Sequence, residues 1–256
     1  MARDAIAHHD FSIQLLGPIP LPIQVSGRHY QAKWYAAVRT TEITSVESLA
    51  RELTEGGKQN LFAKLADPMA VNSVLLFGPL SNTPEDQQRN ETPLVRVHSN
   101  CLTGDVFGSQ RCECGPQLDL AIERIAGNPG GGALVYMAGH EGRGIGLWAK
   151  AATYLLQDAG ENTYQANESL GLPADSRDFS DAASLLLYFI GNQPFRLLTN
   201  NPKKITDLNY LGLTQITMEK HVIGINQSNI NYLAAKKSWG HNLHDSDLDL
   251  DPDNTL

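Results

Sequence analysis

Apolar residues follow two rhythms along the chain, and the change falls near Leu94. Before it, Phe11-Ser-Ile-Gln-Leu-Leu and His29-Tyr-Gln-Ala-Lys-Trp-Tyr-Ala-Ala-Val alternate or run apolar over short stretches, which predicts strands. Thr44-Ser-Val-Glu47 is a capping-box pattern and predicts a short helix to about Leu53. Val71 to Phe77 predicts another strand, and polar Ser81 to Thr92 a surface loop. From Leu94 strands and helices take turns. Leu94 to His98 predicts a strand. Leu118, Ala121, Ile122 and Ile125 recur at helical spacing, and Gly130-Gly-Gly closes that element. Ala133 to Met137 predicts a buried strand, Ile145 to Asp158 a helix with Gly160 beyond its end, and Asp181 to Ile190 a helix stopped by Gly191. Phe195 to Leu198 is a further strand, and Asn201-Pro202 reads as N-cap and first residue of a helix ending near Gly212. The pattern predicts an α/β (α+β mixed) fold, a mixed sheet flanked by helices, with no internal repeat.

Charge adds exclusions. The formal net charge of −8 argues against a nucleic-acid surface. The run from His244 carries five aspartates and is expected to be a solvated, disordered tail. No stretch approaches eighteen apolar residues, so no membrane span is expected. The first ten residues lack the apolar core of a secretion signal, which points to a cytoplasmic protein with reduced thiols.

All three cysteines, Cys101, Cys112 and Cys114, lie within fourteen residues. Three soft ligands suit zinc and leave its fourth position open, the catalytic arrangement, whereas a fourth ligand such as His98 would close a structural site. A disulfide with an odd thiol, or three unrelated buried cysteines, are the competing readings; the odd count disfavours a complete disulfide framework. Glu141-Gly-Arg-Gly-Ile-Gly146 sits between strand and helix, where glycines let backbone N–H groups approach an anion and Arg143 adds a fixed cation; an ordinary tight turn is the bland alternative. Thr199-Asn-Asn-Pro-Lys-Lys204 puts two lysines at a helix start, against the helix dipole, which suggests a nearby anion rather than only a solvated first turn. Asp175-Ser-Arg-Asp178 is either a surface ion pair or a base beside a cation.

Together, Arg96-Val-His-Ser-Asn-Cys-Leu-Thr-Gly-Asp105, Arg111-Cys-Glu-Cys-Gly115, Glu141 to Leu147, Tyr154, Leu156-Gln-Asp-Ala-Gly160, Ala174 to Phe179, Leu197 to Lys204 and Lys237-Ser-Trp-Gly-His241 resemble the GTP cyclohydrolase II family. The likeness spans about Leu94 to Leu243. It divides the chain into a lead-in over 1–90, a catalytic domain over 91–243 and a tail over 244–256. It implies a hydrolase of cyclic amidine C–N bonds that opens the guanine imidazole ring of GTP, releasing formate and pyrophosphate, for riboflavin biosynthesis. One zinc on Cys101, Cys112 and Cys114 would activate the water attacking C8, and magnesium would accompany the triphosphate. Asp175 would be the general base, Arg177 the nucleophile toward phosphorus or a stabiliser of its charge, and Tyr154 would act near C8. Arg96, Val97, His98, Ser99, Asn100, Gln117, Glu141, Gly142, Arg143, Thr163, Thr199 and Lys204 would contact GTP, and two identical chains would form a homodimer.

The chain departs from the family in two places. Asn100 stands where a glutamate is usual. Tyr136-Met-Ala-Gly-His-Glu-Gly-Arg143 replaces Tyr-x-Arg-Gln-Glu-Gly-Arg, adding one residue and placing His140 before Glu141. These departures imply a divergent paralogue as the alternative, with another substrate or a formylated end product, or a role in pyrimidine catabolism. A non-catalytic nucleotide binder with structural zinc would instead require a fourth protein ligand.

Overall fold

A computed structural model describes residues 3–7, 11–42, 70–78, 80 and 91–249. Eight strands form one mixed sheet in the order β1-β2-β3-β4-β6-β5-β7-β8. They are β1 (Arg3–Ala7), β2 (Ser12–Val25), β3 (Arg28–Arg39), β4 (Asn72–Phe77), β5 (Leu94–Ser99), β6 (Gly132–Met137), β7 (Phe195–Leu198) and β8 (Ile216–Glu219). Pairings from β1 through β4 to β6 are antiparallel, whereas β5 lies parallel to both β6 and β7, and β7 to β8. The expected mixed sheet is therefore present. The strands of the lead-in are built into it, because β4 pairs with β3 on one side and β6 on the other. The helix expected from Thr44 and most of the loop expected over 81–92 lie outside the described residues.

Helices cover both faces. On one face α1 (Cys114–Ala126) buries Ala121, Ile122 and Ile125 against Phe77, Leu94 and Leu134. Its apolar residues fall at helical spacing, so one stripe meets the sheet. On the other face α4 (Ser180–Ile190) and α5 (Pro202–Tyr210) bury Leu185, Leu186, Phe189 and Leu208 against Val74, Val95, Val97 and Leu197. Between them in sequence lie α2 (Leu147–Asp158) and α3 (Gln165–Ser169), and α6 (Ile230–Ser238) follows β8. The start of α5 is set as the sequence predicts, with Asn201 accepting the Lys203 backbone N–H at 3.0 Å and proline following.

Two local expectations are corrected. The helix expected from about Ile145 begins at Leu147, because Gly146 takes a left-handed φ of 84° and cannot belong to a right-handed turn. The tail expected to be disordered from His244 opens instead with a single 3-10 turn, Asp245–Asp247. Lys237 and Lys220 hold it through ion pairs to Asp245 and Asp247.

The connections place the site. From β5 the chain crosses through α1 to β6 on one side, and from β6 through α2, α3 and α4 to β7 on the other. Strands reached in opposite directions leave a crevice beyond their carboxyl ends, where open α/β sheets bind ligands. Those ends are Ser99, Met137 and Leu198, and the cysteine loop, the glycine loop and the Thr199 junction begin directly after them.

Candidate active site

Period-2 geometry fixes what β5 delivers. Val95 and Val97 point into the core, while Arg96 and His98 point to the opposite face. The Val97 side chain is thus fully buried away from the cleft, contrary to the expected nucleotide contact; its carbonyl accepts the Lys204 ammonium at 2.8 Å.

Just past β5, the sulfurs of Cys101, Cys112 and Cys114 lie within 4.8 Å of one another, and Cys101 and Cys112 are 3.6 Å apart. Sulfurs bound at ~2.3 Å to a tetrahedral zinc stand about 3.8 Å apart, so the spacing fits. A side chain on Gly104 would put its Cβ 2.9 Å from the Cys112 sulfur and 3.2 Å from that of Cys101, so only glycine leaves this cradle free. Among the described residues no fourth Cys, His, Asp or Glu joins the group. His98 is turned elsewhere: its Nε2 lies 3.2 Å from Asp105 and its ring stacks on Tyr136. It does not supply the closing ligand of a structural site. Asp105 organises the loop, accepting the Cys101 backbone N–H at 3.0 Å and the Tyr136 hydroxyl at 2.9 Å.

Lys150, on α2, was not singled out from the sequence. Its ammonium lies 3.1 Å from the Cys101 sulfur, 2.6 Å from Glu141 and 3.0 Å from the Thr103 hydroxyl. Burial would lower its pKa, but Glu141 and Cys101 overcome that and raise it, so the group is a cation. Hydrogen bonds from the other two thiols, with the Lys150 charge behind them, push the Cys101 thiol far down toward thiolate. Glu141 is consumed here: its second oxygen accepts the Leu102 N–H at 2.7 Å. It ties the glycine loop to the cysteine loop while lining the cleft. Tyr154 reaches the same cluster, 3.1 Å from the Thr103 hydroxyl.

Away from the cysteines the cleft is strongly cationic. Arg96, Arg111, Arg143, Lys150, Arg177, Lys204 and Lys236 line it against the acids Glu113 and Glu141. Arg96, Arg143 and Lys204 are held by neutral oxygens: Leu198 O and Gln117, Thr163 O and Oγ1, and Val97 O. Burial draws the Arg96 pKa down to about 10 and that of Lys204 well below its usual value. Arg96 Nε and Arg143 Nη2 are buried with no partner. Burying cations this way is unfavourable unless an anion completes them, so the cleft is built for a polyanion. Lys203, the other lysine of the junction, turns out to Asp207 at 2.5 Å and does not take part. Thr199 does, its hydroxyl accepting the Asn201 N–H at 3.1 Å. Asn100 lines the cleft with its side-chain oxygen buried and unpartnered, an acceptor offered to a bound N–H.

Asp175 and Arg177 form a two-pronged pair, Nη2 to Oδ2 at 2.6 Å and Nε to Oδ1 at 2.9 Å. Burial opposes both charges, yet the pairing wins, lowering the Asp175 pKa and raising that of Arg177. Of the two, Arg177 lines the cleft. Gly144 lets the two loops meet: a Cβ there would lie 2.7 Å from the Ser176 hydroxyl, which together with its backbone N–H donates to Arg143 O at 3.1 Å.

His140 joins these loops. Its Nε2 donates to the Asp178 carbonyl at 2.9 Å, so the neutral ring must accept at Nδ1, where Ser99 Oγ stands 3.1 Å away. Burial drops its pKa to about 4, and that of fully buried His221 to about 3. Folded pKa values below the unfolded value of ~6.5 mean stability that is complete above pH 6.5 and lost as pH falls toward 4 and 3. His98 and His241 are lowered by burial as well, and four such protons give a slope of up to about 5.4 kcal/mol per pH unit. Urea unfolding between pH 6.5 and 5 should show His140→Gln removing roughly a quarter of it; an unchanged slope would refute the assignment.

Comparison with known proteins shows the family. The family model described as GTP cyclohydrolase II matches residues 68–219. The riboflavin biosynthesis protein RibBA of Mycobacteroides abscessus is 51% identical over 174 residues, covering 68% of this chain and 40% of that protein. RibBA of Mycolicibacterium gilvum is 53% identical over 151 residues, 59% of this chain and 35% of that one. RibBA of Nocardia farcinica is 51% identical over 162 residues, 62% and 39%. The chain thus spans well under half the length of these relatives. With more than half of its residues matched by the family model, the chain belongs to the GTP cyclohydrolase II family.

Proposed function

We propose that this chain hydrolyses GTP, opening the guanine imidazole ring with release of formate and pyrophosphate, as a step of riboflavin biosynthesis. The observation that carries the reading is the junction of a three-thiol cradle with a cation-lined cleft at the carboxyl ends of β5, β6 and β7. Cys101, Cys112 and Cys114 would hold one zinc. When bound, the metal supplies Lewis acidity that makes water a usable nucleophile at neutral pH.

The protein's own groups do the rest. Lys150, with Thr103 and Tyr154 beside it, places a fixed cation and two hydroxyls at the Cys101 edge of the cradle, where charge builds during ring opening. Asn100 accepts a base N–H through its free oxygen. Arg96, Arg143 and Lys204 take the phosphates, exchanging neutral contacts for charged ones. Magnesium would accompany the triphosphate; among the described residues the cysteines are the one cluster of three or more metal-ligating groups. Arg177 stabilises charge at the phosphorus rather than attacking it, because a guanidinium with a raised pKa has no free lone pair. Asp175 has both oxygens engaged by that guanidinium and acts first by orienting it; as a base it must exchange one contact for water. Pairing of two chains is part of the same reading, supported by the exposure of Phe107, Trp148 and Leu155 (70%, 91% and 73%).

His140 and Asn100 favour one second reading, in which the ring opens but the formyl group stays. Anaerobic incubation of the zinc-loaded protein with GTP and magnesium tests both. Formate and pyrophosphate are expected together. Ring opening without formate would establish the second reading, and no reaction with GTP would reject both.

A further inference from the structure

We propose that Arg39, on β3 and outside the family-matched residues 68–219, is a positioning residue that sets the loop carrying Arg177. Its Nε donates to Asp181 at 2.7 Å and its Nη2 to Asp178 at 3.1 Å. The Phe11 ring lies 4.3 Å beneath the guanidinium, fixing its plane. Asp181 passes the restraint on: its other oxygen accepts from Asn72 at 3.0 Å, and Asn72 accepts the Ala138 backbone N–H at 3.0 Å. Asp178 passes it to the loop, since its carbonyl receives His140 and its neighbour Arg177 reaches Ser99 at 3.4 Å. One guanidinium therefore ties both cleft loops to the lead-in sheet.

The need for such a tie is visible behind the loop. A pocket of about 240 Å³, open to the surface, is lined by Arg177, Ser176 and His140 together with Arg39 and Asn72. Among the described residues, polar side chains rather than apolar packing line the loop on this side, with room for several waters. The strut spans the gap with directional bonds. Asp181 is nearly covered (12% exposed), so this arm escapes most solvent screening, whereas the arm to Asp178 (59%) is the more screened of the two.

The inference rests on the reading of Arg177 as a group acting on GTP, so two readouts are needed. In the full zinc-loaded chain, Arg39→Gln should lower kcat about 10- to 100-fold with KM for GTP within about threefold, since misplacement of a transition-state contact spares ground-state binding. Arg39→Lys keeps the charge and one contact and should recover most of kcat. Independently of any substrate, hydrogen exchange at the Ser176 and Arg177 amides should rise at least about tenfold in Arg39→Gln while β5 and β6 amides stay protected. Unchanged exchange at those two amides overturns the proposal whether or not GTP is turned over. Uniform loss of protection and of bound zinc, unrescued by lysine, also overturns it, by showing a general structural role. Faster exchange at the two amides without GTP turnover in the wild type would keep the strut and reject the activity.

Discussion

Cys112→Ser should abolish zinc retention and cut formate release from GTP by at least about 10³-fold, the scale of the several kcal/mol that a Lewis acid supplies. The expectation follows from the sulfur geometry, in which Cys112 is buried and 3.6 Å from Cys101. It is sharpened by Gly104→Ala, which leaves all three thiols in place. The new methyl would crowd two sulfurs at 2.9 and 3.2 Å, so zinc affinity should fall although no ligand is removed. Metal content after exhaustive dialysis, measured beside turnover, checks both variants. Stoichiometric zinc in Cys112→Ser, with normal formate release, would show that the cluster is not the metal centre.

Arg177→Lys is expected to lose about 10²- to 10³-fold in kcat with little change in KM, the scale seen when one donor to developing charge is removed. Lysine keeps the charge but not the planar fork that grips Asp175 at two points. The same experiment separates the two roles available to Arg177. A nucleophile would carry a guanylyl group, visible as added mass on its peptide after rapid quench; a charge stabiliser leaves the peptide unmodified, which is the result expected here. Wild-type turnover in Arg177→Lys would remove Arg177 from the chemistry altogether.

The parts of this architecture that were legible in the sequence share a local cause. The start of α5 is written by Asn201-Pro202, and the stripe of α1 by Ala121, Ile122 and Ile125; both are read within two turns of chain. The cysteine cluster was legible because no thiol lies elsewhere. What escaped notice depends on distant partners. Lys150 and Lys236 look like solvated helix charges until Cys101 and Glu113 arrive beside them. Arg39 has no local signature, since Asp181 follows 142 positions later. Val97 was assigned with its motif, but strand alternation sends it to the opposite face from Arg96 and His98. The late start of α2 was hidden because Gly146, which breaks the turn with a left-handed φ of 84°, reads in the sequence as one more glycine of the anion-binding loop.

The continuity of the sheet across residue 68 has a consequence for any shorter piece of this chain. Sequence similarity draws a boundary there, but β4 is an interior strand whose far side is already paired to β3. A fragment cut at that line would bare five consecutive ladder positions, Asn72 to Leu76, along an apolar strand. An uncapped, flat, hydrophobic edge recruits strands from other molecules. The lead-in thus covers the edge of β4, and its removal would leave that apolar strand as a template for aggregation.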